Sequence, residues 1–129
     1  MLVSKPVSTA LPSFLKKSRE DLASEVVGFP AGTLEGLLLF QEDSSASHLR
    51  ALLPKLIAFH LPAGIKLPAD PLGDELLLVQ DFGLDSLALS EMAFKMEDLF
   101  GFRVETHEVF SIESYGELVT FLSHKLALS

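Results

Sequence analysis

Almost every cluster of apolar residues in this chain repeats at i, i+3, i+4 and i+7, and no stretch alternates convincingly between apolar and polar. A chain patterned this way buries its apolar groups as helices packed on one another, so the expected fold class is all-α. Its 129 residues suffice for one domain with a real core and fall short of two ordinary ones.

The pattern predicts where the helices lie. A first helix is expected from Ser13, as N-cap, to about Val27, with Leu15, Leu22 and Val26 on one face and Gly28 and Pro30 as stop signals. A second, from Thr33, carries Leu34, Leu37, Leu38 and Phe40. The polar run QEDSSAS, residues 41 to 47, then reads as a connector. It divides an N-terminal helical extension, residues 1–45, from a core domain, residues 46–129. In the core domain the stripe Leu49, Leu52, Leu53, Leu56, Ile57 predicts a helix from Ser47 to near His60, which Pro54 should kink or restart. Residues 61–85 read as a long loop pinned through Leu76 to Val79, and loops of that length usually serve a function.

The clearest helix runs from Ser86 to Phe100, with Leu89, Met92, Ala93, Met96 and Phe100 on one face and Ser90, Glu91, Lys95 and Asp98 opposite. Glu91 and Lys95 have the favourable i, i+4 order, worth about 0.2 to 0.5 kcal/mol. Gly101 ends it. A one-turn helix is expected at Thr106 to Ser111. A last helix opens with a capping box, Ser114 and Glu117, and buries Leu118, Val119, Leu122 and Leu126.

Several functions are disfavoured by composition. The net charge of −8 repels phosphate backbones, and Lys16, Lys17 and Arg19 are followed at once by Glu20 and Asp21, so no nucleic-acid partner is expected. No stretch approaches the roughly 18 apolar residues of a membrane span, and the N-terminus lacks the layout of a secretory signal. A cytoplasmic location is the default. Cysteine is absent, which removes disulfides and thiolate nucleophiles. His48, His60, His107 and His124 lack metal-ligand spacing, so no metal is expected. The DFG at residues 81–83 has none of the other segments of a protein kinase around it. No GxSxG elbow exists, and a serine with no identifiable base does not make a hydrolase.

One serine remains to be explained, within DFGLDSL, residues 81–87. Gly83 permits a tight turn, Asp85 can cap the helix, and Ser86 becomes its first residue. A phosphate on that hydroxyl would lie where backbone amides and the helix dipole favour an anion by about 0.3 to 1 kcal/mol. GLDSL followed by an amphipathic helix resembles the phosphopantetheine attachment site of acyl carrier proteins. EMAFKMEDLFGFRV and IESYGELVTFL resemble that family's second and last helices, LRALLPKLIAFHL its first, and DELLLVQDFG the loop before its serine. The similarity covers roughly residues 46 to 126.

The resemblance implies a four-helix bundle of three longer helices and one short one, here with an extra N-terminal helical hairpin. It also implies a carrier and not an enzyme: a phosphopantetheinyl transferase moves 4′-phosphopantetheine from coenzyme A to the serine, and the arm's thiol holds acyl groups as thioesters. Carried over by position, Ser86 takes the arm, with Gly83, Asp85 and Leu87 as motif support. The partners would be that transferase and the acyl-transferring and acyl-modifying enzymes of fatty-acid, polyketide or related specialised biosynthesis. A peptidyl or aminoacyl carrier and an unmodified helical adaptor are the rival readings. The stripe Leu89, Met92, Met96, Phe100 is expected to be core, with at most an adaptable cleft.

Two departures from the family pattern stand out. Fatty-acid carriers commonly have an acidic residue soon after the serine and a densely acidic second helix, whereas here Ala88 and Leu89 follow and Lys95 interrupts. Partner enzymes are therefore expected to read an apolar patch at Leu87 to Leu89 together with Glu91 and Asp98, with less dependence on charge. The extension is the second departure. Its apolar faces need covering by the core, by a second copy through helix exchange, or by a partner.

Overall fold

The computed structural model describes the backbone of residues 10–128 and the side chains of residues 13–128. The described residues form seven helices: α1 (Ala10–Leu15), α2 (Arg19–Glu25), α3 (Thr33–Glu42), α4 (Ala46–Ala58), α5 (Ser86–Phe100), α6 (Thr106–Ser111) and α7 (Tyr115–Lys125). The chain is all-α, as its periodicity predicts; extended pairing among these residues is limited to one bridge between Leu77 and Ser114. Helices α4, α5 and α7 with the short α6 form the expected bundle. None of the helices is long and apolar enough to cross a membrane.

The start of the chain departs from expectation. The helix predicted over 13–27 is two helices, and Ser13 lies inside α1 instead of capping it. Ser18 caps α2: its hydroxyl accepts from the Asp21 amide at 3.0 Å while the Asp21 carboxylate accepts from the Ser18 amide. That reciprocal box satisfies two helix-start donors and fixes a new start at residue 19. Gln41 of α3 closes the other side of the break, donating to the carbonyls of Phe14 and Lys17 at 3.1 and 3.0 Å. The shift in register also changes the buried face, so that Phe14 is buried and Leu15, expected inside, is 45% exposed.

The extension is covered by the core itself. Phe14 of α1 packs its ring 5.5 Å from Phe40 of α3 and 5.1 Å, edge-on, from Phe100 of α5. With Leu22, Val26 and Leu37 these rings belong to one continuous core that includes Leu49, Leu52, Leu53, Leu56 and Ile57 of α4 and Leu118, Val119 and Leu122 of α7.

Pro54 neither ends nor restarts α4, which begins at Ala46 behind the cap Ser45 and continues to Ala58. The proline removes one amide donor, and burial of the leucines on both sides of it holds the helix together. At α7 the box is only half formed. The Ser114 hydroxyl accepts from the Glu117 amide, but the Glu117 carboxylate accepts from Glu113, one residue before the cap.

Candidate functional site

The site begins with the loop ahead of α5. The Tyr115 amide donates to the Leu76 carbonyl at 2.8 Å, the Leu78 amide to the Glu113 carbonyl at 2.9 Å, and the Gly116 amide to the Asp74 carbonyl at 3.0 Å. Arg50 of α4 grips Asp74 through both guanidinium nitrogens. That pairing raises the arginine's pKa and holds the Asp74 carboxyl below its ordinary range. The second half of the loop is thus fastened to the start of α7 by polar contacts; of the apolar run Leu76 to Val79, Leu78 is buried in the core as expected, whereas Val79 is 55% exposed.

From there the chain turns into α5. The Asp81 carboxylate accepts from the Leu77 amide at 2.7 Å, and the amides of Asp81 and Phe82 return to the Leu77 carbonyl. Phe82 and Leu84 are both fully buried, and between them Gly83 has φ +76°, the left-handed region that a side chain disfavours. Phe82 stacks against Tyr115, ring centres 6.3 Å apart. These two anchors were not singled out in the sequence, although an apolar residue on each side of a turn glycine was the available signal.

Asp85 has extended backbone and its carboxylate accepts from the Ala88 amide at 2.8 Å, so it is the N-cap. Ser86 is the first residue of α5 and is exposed. Among the described residues nothing engages its hydroxyl. The arrangement leaves an accessible oxygen at the positive end of a 15-residue helix.

Beyond the serine the structure separates residues that the sequence had grouped. Leu87 is 65% exposed, whereas Leu89 is 5% exposed and belongs to the core. Leu89 is therefore corrected from a partner-facing residue to a packing one, since its side chain lies with Met92, Met96 and Phe100 on the buried stripe. Phe94, one helical face with Leu87, is 64% exposed and was missed. Glu91 and Asp98 are exposed as expected.

The expected Glu91–Lys95 pair does not form. Lys95 instead donates to the Glu25 carbonyl at 2.7 Å and lies 5.8 Å from the centre of the Phe29 ring. Under the buried stripe, a cavity of about 20 Å³ is enclosed by Leu89, Met92, Met96, Val109, Leu118 and Leu122. It is nearly filled, in agreement with a packed core.

The family model described as the phosphopantetheine attachment site matches residues 64–122. Over these residues, a little under half of the chain, the sequence is similar to the phosphopantetheine attachment domains that this family model describes. Such a domain is the attachment point of a covalently bound 4′-phosphopantetheine. A curated relative, the acyl carrier protein of Saccharopolyspora erythraea, is 38% identical over 53 residues, which are 41% of this chain and 56% of that protein. The match thus spans little more than half of the relative's length. No solved structure matches the chain.

Proposed function

We propose that the chain carries acyl intermediates as thioesters on a 4′-phosphopantetheine arm attached to Ser86. The observation that supports this best is the position of the serine: a separate residue, Asp85, caps the helix, so the Ser86 hydroxyl is exposed and unengaged at an anion-tolerant end. When bound, the arm supplies the thiol that a cysteine-free chain lacks.

In the attachment step the Ser86 oxygen forms a bond to the phosphorus of coenzyme A that bears the pantetheine. The bond from that phosphorus to the adenosine bisphosphate breaks, and the hydroxyl proton leaves with the transferase. Gly83 sets the turn and Asp85 caps the first turn of the helix, so that a phosphodiester on Ser86 would lie at the positive helix end. Leu87 stands beside it as an apolar contact for the transferase and for the enzymes that load and unload the thiol, with Glu91, Phe94 and Asp98 further along.

Residues 46–129 are read as the carrier domain and residues 1–45 as an extension that shares its core. The pathway is proposed as fatty-acid, polyketide or related specialised biosynthesis in the cytoplasm. Intact-mass analysis after incubation with coenzyme A and a broadly tolerant phosphopantetheinyl transferase tests the reading. One arm increment on the wild-type chain, absent from Ser86→Ala, is expected. No increment under conditions that load a control carrier would refute it.

A further inference from the structure

Two lysines, Lys95 of α5 and Lys17 of the extension, join the extension to the side of α5. Lys95 is held by the Glu25 carbonyl and the Phe29 ring. Lys17 donates to both oxygens of the Glu25 carboxylate, at 2.9 and 3.0 Å, and to the Asp98 carbonyl. Phe29 in turn is stacked flat on Phe59 of the α4 end, centres 3.9 Å apart, with His60 edge-on to both. The end of α2 and the turn after it are therefore clamped along one flank of α5.

That flank stops short of the outer ridge. At 100° per residue, Leu87, Glu91, Phe94 and Asp98 fall within one narrow sector, and Lys95 falls at its edge toward the extension. With Lys95 drawn sideways, the ridge shows two large apolar side chains, 65% and 64% exposed, and two carboxylates. A free ammonium one turn from Glu91 would cancel part of that field.

We infer that residues 17–29 complete the docking surface of α5: by withdrawing Lys95 they leave an apolar ridge whose own exposed charges are Glu91 and Asp98, which fits a transferase presenting an apolar pocket rimmed by cationic side chains. This rests on Ser86 being the attachment point. It also revises the expected weak dependence on charge, because the lysine that seemed to interrupt the acidic face is not on it.

The test is steady-state kinetics of arm transfer from coenzyme A to the full chain by a broadly tolerant transferase. Lys17→Ala with Phe29→Ala should loosen the clamp and raise KM about fivefold with kcat nearly unchanged. Adding Lys95→Gln to that pair should return KM to within about twofold, and Lys95→Gln alone should leave it there. Glu91→Lys, which leaves the clamp intact, should raise KM about tenfold. Wild-type KM in the loosened variant, failure of Lys95→Gln to rescue it, or an unchanged KM for Glu91→Lys overturns the inference while leaving the attachment reading standing. If that double variant does not fold by circular dichroism, Phe29→Leu, which removes only the ring beside Lys95, takes its place: a raised KM that Lys95→Gln restores supports the inference, and an unchanged KM overturns it. Absence of loading on the wild-type chain overturns both.

Discussion

Two helices of this protein begin at an acidic residue followed by a serine, Asp85–Ser86 at α5 and Glu113–Ser114 at α7, and the two serines end up in opposite situations. At α7 the serine is the cap, and its hydroxyl accepts from the Glu117 amide at 3.1 Å. At α5 the cap is Asp85, which accepts from Ala88 at 2.8 Å and moves the serine one position into the helix. Aspartate reaches the first-turn amides as well as serine does, whereas Glu113 lies one place too early and instead donates its own amide to Glu117. The difference teaches that a serine at a helix start is available for chemistry when a neighbour has taken over the capping. Ser18 and Ser45, caps of α2 and α4, follow the α7 pattern.

The comparison can be broken most sharply by function. Ser86→Ala should abolish arm loading, and Ser114→Ala should leave a folded chain fully loadable, as read by intact mass. Equal loss in both would remove the distinction. Next in size is the anchoring of the α5 start. Leu84 is fully buried one residue before the cap, so Leu84→Ala should cost about 2 to 5 kcal/mol in urea unfolding. A loss under about 1 kcal/mol would mean that the turn before Ser86 is not held by the core.

Stability also separates the caps. Asp85→Ala and Ser114→Ala should each cost about 1 kcal/mol, while Ser86→Ala should stay within about 0.5 kcal/mol of wild type. A cost for Ser86→Ala as large as for Ser114→Ala would show that its hydroxyl is structural after all. The smallest effect concerns the flank of α5. Burial pushes the His60 pKa down, Glu91 opposes this by raising it, and Lys95 lowers it further. A histidine whose folded pKa is depressed binds more protons when unfolded, so its contribution is present above the ordinary value near 6.5 and is lost as pH falls through the folded pKa. Wild type should therefore lose more stability below about pH 6.5 than His60→Gln, measured by thermal melts in matched buffers. Parallel curves would contradict the burial of this ring between the extension and α4.

What could be read from the sequence follows the range of the interactions involved. Helix α5 and the cap at Asp85 are local, set by spacing and by side chains within four residues, and both were legible. The break between α1 and α2 was equally local, written as Ser18 and Asp21 in a capping box, and the longer apolar period hid it. Leu89 carried conflicting assignments, to the buried stripe and to the partner patch, and packing decided for the stripe. The destination of Lys95 could not be read locally, because its acceptor at Glu25 lies 70 residues away and the competing Glu91 lies four.

The central claim is that the Ser86 hydroxyl, freed by the Asp85 cap, is where the arm attaches. Its most direct test is fragmentation mass spectrometry of the loaded full-length chain, which assigns the added phosphopantetheine to a single residue. The increment should map to Ser86 and to no other serine, with Ser45 and Ser114 unmodified. An increment on a capping serine, or a loaded chain in which Ser86 is unmodified, would contradict it.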